Sequence, residues 1–440
     1  MTLGRRRSSW VMVTGVAVAS LALTACSAGS LGSSSGGSGT TITFLVDNSD
    51  TGVAQGKALA DGFHKQNSDI TVKVETRPGG ADGDNLIKTR LSTQSMDDVF
   101  SYNSGSLFQQ IDPKANLLPL TDEPFVKDVD ESFKPQVSVG DEVYGVPQGT
   151  PFGGGVLYNL DVYKQLGLQV PKTWDDFIAN SEKIKAAGIA PIIQTYQDTW
   201  TSQLFVLGDF HNVSAAEPNW ADDYTKNKVH YADDPVALAG FEHLQQAHDQ
   251  NLMNSDFASL TNAQGLQMLA DGKGAQYPML SAVTTGLFAS DPSAATKIGF
   301  FALPGADAAS NGMTTWFPNG IYVPKTVTGD KLDAVKKFLA YVASKDGCDA
   351  ITSVSAPNGP YLIKGCTLPS DVPQVTKDVV AYFDDDAQSP ALEFLSPVKG
   401  PNLEQICVQV GSGISDAKTG AEQYDQDVKK QAQQLGLPGW

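Results

Sequence analysis

Between Thr41 and Asn103 the chain passes through apolar strand, amphipathic helix, strand, helix and strand, and this order restricts the fold more than any other feature. "TITFLV" (41–46) is a continuous apolar run of strand length. Val53, Leu59, Ala60 and Phe63 then recur at helical spacing within Gly52–His64. "ITVKVET" (70–76) alternates Ile70, Val72 and Val74; Leu86, Ile87 and Leu91 mark another helix; "DDVFSYN" (97–103) carries the third strand. Strands separated by helices are expected to lie parallel in one sheet, so this is an α/β chain. Ligands of such sheets sit at the carboxyl ends of the strands. That directs attention to Asn48-Ser49-Asp50 after the first strand and Tyr102-Asn103-Ser104 after the third.

The middle of the chain holds a second α/β unit. "VPKTWDDFIANSEKIKAAGIAPI" (170–192) predicts a helix capped by Thr173, with Trp174, Phe177, Ile178 and Ile184 on its buried face. Gly188 closes it in the left-handed conformation, and "IAPII" starts the next strand. Between the two units, "DEVYGVPQGTPFGGGVLYN" (141–159) contains two strand-like pieces, Pro147, Pro151 and Gly153-Gly154-Gly155, which suit a crossover whose backbone must bend. "KIGFFALPG" (297–305) is a second apparent crossover. A strand at "GIYVPK" (320–325), a helix over Asp330–Ser344 and a last helix in "TGAEQYDQDVKKQAQQLG" (419–436), with Thr419 and Glu422 as capping box, follow it. The residues from Thr40 to Trp440 are too many for one comfortable core and suit two or three domains.

At the other end, Arg5, Arg6 and Arg7 precede an apolar run from Trp10 to Leu23 that has the length of an export signal and is too diluted by Ala and Ser to be a membrane span. Leu23-Thr24-Ala25-Cys26 resembles the bacterial lipobox, whose cysteine is diacylated and becomes the first residue of the mature chain. Two acyl chains anchor stably where one is marginal. "SAGSLGSSSGGSG" (27–39) reads as a flexible linker. Its Gly32-Ser33-Ser34-Ser35-Gly36 matches a nucleophile-elbow pattern through low complexity alone, without the flanking strand and helix. With 49 acidic against 31 basic side chains and a net charge of −18, the chain is not a nucleic-acid or anionic-surface binder. Acylation of Cys26 leaves Cys348, Cys366 and Cys407. Cys348 and Cys366 flank a Pro/Gly-rich turn and are candidates for a bridge, with three separate buried thiols as the alternative. No Cys/His cluster has zinc spacing, and His243 and His248 do not share a helix face, so neither metal nor cofactor is expected.

Three stretches, "DVFSYNSGSLFQQIDPKANLLPLTD" (98–122), "EVYGVPQGTPFGGGVLYNLDVYKQLGLQVPKTWDDF" (142–177) and "AAGIAPI" (186–192), in this order behind a lipobox, resemble the carbohydrate-binding family 1 of extracellular solute-binding lipoproteins of ABC importers. The resemblance covers nearly all of residues 41–436. It implies a periplasmic-binding-protein-like type II fold: two α/β lobes joined by a multi-segment hinge, with the ligand cleft between them. The expected division is signal peptide 1–25, lipidated Cys26 and linker 26–39, lobe 1 from 40–150 plus 302–346, and lobe 2 from 151–301 plus 347–440. The crossovers at Gly153–Gly155 and "FFALPG" fall where such a fold needs hinges. The implied function is capture of a sugar, an oligosaccharide, for delivery to the permease subunits by a monomer lipid-anchored on the extracytoplasmic face of the cell membrane. A non-sugar solute and a lipid-anchored glycoside hydrolase are the alternatives; no catalytic motif supports the second.

A pyranose needs flat aromatic surfaces for its C–H faces and carboxylate or amide groups for its hydroxyl rim. Residues of those types in the expected loops are Asn48 and Asp50, Tyr102 and Asn103, Asp198 and Trp200 in "TYQDTWTSQ", Trp316 and Asn319 in "TTWFPNG", Phe152 in the crossover and Tyr277 in "GKGAQYPM". Trp316 and Trp200 are the expected stacking platforms, with Asp198, Asn48, Asp50 and Asn103 at the sugar edges. Tyr102 alternates with Phe100, which also fits a buried strand position, Trp174 belongs to the core and Trp220 reads as a surface-loop anchor. Many relatives carry a tryptophan in the turn after "GKxAM"; here "GKGAQYPMLSAVTTG" (272–286) has none, and Tyr277 or Met279 takes its place.

Overall fold

The computed structural model describes residues 39–440; the signal, Cys26 and nearly all of the linker lie outside the described residues. In chain order the strands are β1 (Thr40–Asp47), β2 (Ile70–Arg77), β3 (Val99–Tyr102), β4 (Ser138–Val139), β5 (Glu142–Val143), β6 (Gly145–Pro147), β7 (Phe152–Asn159), β8 (Ala190–Ile192), β9 (Gly274–Leu280), β10 (Ile298–Ala302), β11 (Met313–Trp316), β12 (Gly320–Tyr322) and β13 (Gln388–Pro390). They build two α/β lobes. The first has a five-stranded sheet ordered β2-β1-β3-β12-β6, in which β1 is parallel to β2 and β3, and β12 is antiparallel to β3 and β6. The second has a six-stranded sheet ordered β13-β11-β7-β9-β8, with β10 also paired to β7.

The first sheet is covered by α1 (Asp50–Gln66) and by the helix Gly329–Val342. Ser49 caps α1 by accepting the Gly52 amide at 3.0 Å, Asp50 complements the dipole in the first turn, and Leu59, Ala60 and Phe63 turn inward. Phe338 meets Phe44 and Phe63 edge-on at 5.5 and 5.4 Å between centroids. Such pairs add about 0.5–1.5 kcal/mol beyond their area burial. In the second lobe Thr173 accepts the Asp176 amide at 3.2 Å, and the helix it caps, Trp174–Ala186, buries Trp174, Phe177 and Ile184. Trp220 is not a surface anchor: it is buried in this core, with its indole N–H donating to Asp234 at 2.8 Å.

The glycine run does not bend the backbone. Gly153–Gly155 lie in the first half of β7, with Gly154 and Gly155 paired on both edges and Gly153 on one, and serve close packing instead. A Cβ at Gly153 would stand 2.4 Å from the Met313 sulfur, and one at Gly155 2.4 Å from the Phe301 carbonyl. The chain passes between the sheets at Gln148–Pro151, where Gly149 takes φ +111°, and at Phe317–Asn319. It crosses again between Ile363, in the first core, and Val375, in the second lobe. The expected division therefore differs from the observed cores in two places. Residues 302–316 still belong to the second sheet, and Cys348, Ile351, Leu362 and Ile363 belong to the first core. The pairing lengths explain the first: β10 and β11 share β7 end to end, so the chain returns only after Trp316. Cys348 and Cys366 are disulfide-bonded, and Cys407 is free and buried.

Candidate functional site

A cleft of about 390 Å³, the size of a small-molecule site, lies between the two cores. The ends of β1 and β3 deliver Asp47, Ser49, Asn103 and Ser104 to it, as expected for an open α/β sheet. The crossing segments deliver Gln148, Thr150, Phe317 and Asn319, and the second sheet delivers Phe152 and Trp316. The backbone of the crossings is itself tied together: the Gln148 amide donates to the Asn319 carbonyl at 2.9 Å, and the Asn358 amide to the Thr150 hydroxyl at 2.9 Å.

The cleft has one aromatic wall of defined geometry. Phe152 and Trp316 are directly opposite in the β7/β11 ladder, and their rings are nearly parallel, 6.5 Å apart at 13°. Around them stand the amides of Gln55, Asn103, Gln148, Asn319 and Asn358, hydroxyls such as Thr150 and Ser355, and two carboxylates, Asp47 and Glu393. Among the described residues, the lining includes no lysine, arginine or histidine. Asp47 accepts the Ser49 amide at 3.0 Å and also its hydroxyl. Gln148 is buried, and its side-chain carbonyl oxygen has no partner among the described residues. Tyr361 bonds the Thr352 hydroxyl, and burial raises its phenol above the ordinary value. An arrangement of flat apolar faces, neutral amides and acceptors without a cation suits an uncharged ligand rich in hydroxyl donors.

Of the residues expected from the sequence, Asn103, Phe152, Trp316 and Asn319 line this cleft, and the others do not. β1 runs one residue further than expected, to Asp47, and α1 starts at Asp50, so Asp47 and Ser49 face the cleft while Asn48 and Asp50 point to solvent. Tyr102 is fully buried in β3 beneath the Arg77 guanidinium, 5.5 Å from its ring. Asp198 is spent on the Asn262 amide at 2.7 Å, supporting the start of the helix Asn262–Ala270. Trp200 packs on the second-lobe core. Tyr277 is buried in β9, bonded to the Thr195 hydroxyl at 2.6 Å, and Met279 is buried beside it; the turn after them offers the cleft only Ala282. Lining residues that the sequence did not single out include Asp47, Gln55, Gln148, Asn358, Tyr361 and Glu393. Only the "PNGPY" turn between the cysteines carried a signal, as a Pro/Gly-rich loop with a tyrosine.

A sequence model of the family described as bacterial extracellular solute-binding protein matches residues 48–347. The chain is 24% identical over 337 residues to the multiple sugar-binding protein of Streptococcus mutans, a match covering 74% of this chain and 76% of that one. It is 21% identical over 337 residues to the melibiose/raffinose/stachyose-binding protein MelE of Bacillus subtilis, covering 73% of this chain and 72% of that one. Among solved structures, RafE in complex with raffinose shares the fold with a TM-score of 0.73 at 19% identity, over 89% of this chain and 100% of that one. These relatives are named as binding proteins, and the hydrolase alternative finds no support among them.

Proposed function

This chain belongs to the bacterial extracellular solute-binding protein family, and we propose that its cleft captures a neutral oligosaccharide and delivers it to the permease of an ABC importer. The observation that carries the reading is the composition of the lining: the parallel Phe152–Trp316 pair among amides, hydroxyls and two carboxylates, with no cationic side chain. The C–H face of a pyranose lies on an aromatic face, and its hydroxyls donate to carboxylates more strongly than to neutral acceptors. An anionic solute would find no counter-charge. The names of the relatives, which include raffinose and stachyose, set the first candidates.

The two lobes, divided at Gln148–Pro151, at Phe317–Asn319 and between Ile363 and Val375, close over the ligand by rotation at those segments. The body works as a monomer held to the membrane by acylated Cys26 through the Gly/Ser linker. A thermal-shift screen of the purified protein with melibiose, raffinose, stachyose and chitin oligosaccharides tests the reading, because a ligand that binds only the folded state raises the melting temperature. At least one saccharide raises it and is recovered uncleaved. A melting temperature raised by polyamines or amino acids and by none of the saccharides would overturn the assignment.

A further inference from the structure

We propose that the Cys348–Cys366 cross-link is a positioning element of the cleft: it holds one wall of the site in its binding geometry, and losing it weakens ligand binding in protein that is still folded. The proposal rests on the reading of the cleft as the saccharide site.

The two cysteines are 18 residues apart and both belong to the first core, Cys348 inside it and Cys366 packed against it. Between them the chain leaves the helix Lys345–Thr352 and runs on to Cys366 in turns and extended backbone, with an isolated bridge from Ile363 to Val129 in place of a strand. This irregular stretch, with the end of the helix, puts Thr352, Ser355, Asn358 and Tyr361 on the cleft. Thr352 and Tyr361 bond each other through their hydroxyls, so the two legs of the loop face one another across the cross-linked base.

The middle of the loop is fastened to the other crossing and to the second lobe. The Asn358 amide donates to Thr150 at 2.9 Å, Thr285 donates to the Asn358 side chain at 3.2 Å, and Thr376 donates to the Pro357 carbonyl at 2.8 Å. Beyond Tyr361, backbone bonds join Asp130 to Leu362 at 2.8 Å and Lys364 to Asp128 at 2.7 Å. None of these bonds ties the helix end to the returning leg; among the described residues the cross-link and the Thr352–Tyr361 hydroxyl contact do so, beside the shared packing of Ile351 with Leu362 and Ile363 in the first core. A segment without a hydrogen-bond ladder opens locally at low cost. A closed loop samples fewer conformations than an open one, so its side chains enter the complex already ordered.

The alternative is that the bridge acts on the unfolded chain alone, the usual origin of disulfide stabilisation. Two preparations separate them. One is the Cys348→Ser/Cys366→Ser double variant. The other is the wild type reduced under native conditions by a dithiol, which transfers two electrons and two protons to the S–S bond and closes to its own cyclic disulfide. Each is compared with the oxidised protein, well below its melting temperature, by amide hydrogen exchange without ligand and by calorimetric titration with raffinose. The expected result is faster exchange confined to residues 349–361, with β1 unchanged, and a raffinose dissociation constant raised about tenfold, the equivalent of one or two side chains that must be ordered on binding. A lowered melting temperature with unchanged exchange in that loop and unchanged affinity overturns the proposal. If the oxidised wild type binds no saccharide, the saccharide reading fails, and the exchange measurement still decides whether the cross-link orders the wall. If the double variant does not fold, the reduced wild type carries both measurements.

Discussion

The indole of Trp316 lies so close to Gly154 that a Cβ there would stand 2.2 Å from its Cζ3 atom. Gly154 is opposite Thr314 in the β7/β11 ladder, and its bare backbone leaves room for the indole of Trp316, the direct ladder partner of Phe152, to lie over β7 with its ring parallel to that of Phe152. The aromatic wall of the cleft is therefore set by a residue with no side chain. Gly154→Ala should displace the indole, at a cost of about 1–3 kcal/mol in stability, and should abolish the parallel pairing with Phe152. Calorimetric titration with a saccharide that binds the wild type reads the consequence as a marked loss of affinity. Wild-type affinity and melting temperature together would show that the contact matters to neither.

The architecture was legible in the sequence because each lobe repeats a local pattern. The strand "TITFLV" appears within Thr40–Asp47, and Thr173 caps the helix it was expected to cap. The errors arise where local signals compete. Thr419 looked like the last helix's cap, but Asp416 takes its amide at 2.7 Å and the helix starts at Ala417. The glycine run looked like a hinge because its packing partners, Met313, Trp316 and Phe300, lie far away in sequence. The site was half legible for the same reason. Loops at the ends of β1 and β3 were found, but which residue of each faces inward depends on a one-residue shift that periodicity does not resolve. Tyr361 and Glu393 reach the cleft through tertiary packing alone.

Trp316 and Trp200 should now separate in behaviour. Trp316 is 7% exposed and lines the cleft, so Trp316→Ala should lower both stability and saccharide affinity. Trp200 packs on the second-lobe core and does not line the cleft, so Trp200→Ala should lower stability alone. Truncation of a fully packed tryptophan costs about 3–5 kcal/mol, and a loss of stacking about 1–3 kcal/mol of binding. Melting curves and titrations of both variants check this. Equal affinity losses for the two would contradict the placement of the cleft.

Gln148 is buried at the cleft with a side-chain oxygen that has no partner among the described residues, which is costly unless a ligand satisfies it. Gln148→Leu removes that oxygen at similar volume. The free protein should melt no earlier than the wild type, and saccharide affinity should fall by roughly tenfold to a hundredfold, the worth of one or two hydrogen bonds. An earlier melt with unchanged affinity would place the amide in a structural role.

Lipid anchoring is tested by Cys26→Ser expressed in the native membrane context. Without the acylated thiol the protein should leave the membrane fraction and appear in the soluble one, folded and able to bind. Retention in the membrane fraction would refute the lipobox reading.

The last prediction concerns a buried carboxyl that does not line the cleft. Asp209 is 2% exposed, and its side-chain partner is the Asn212 amide at 2.8 Å. Burial pushes its carboxyl up to about 8, against the smaller opposing effect of the Asn212 hydrogen bond. In the unfolded chain the same group ionises near about 3.9. Between these values the folded protein holds a proton that the unfolded chain has released, so unfolding liberates a proton and rising pH favours it. The stability that Asp209 contributes is therefore complete below about 3.9 and is lost as pH rises through about 8. Asp209→Asn keeps an acceptor for Asn212 and cannot ionise. The melting temperature of this variant minus that of the wild type should grow steadily from pH about 4 to pH about 8 and level off above it. Differential scanning calorimetry across that range measures the difference directly, with the pH dependence of all other groups cancelling between the two proteins. A difference that stays constant with pH would mean that Asp209 is ionised in the folded protein throughout and that its burial is compensated by contacts other than Asn212.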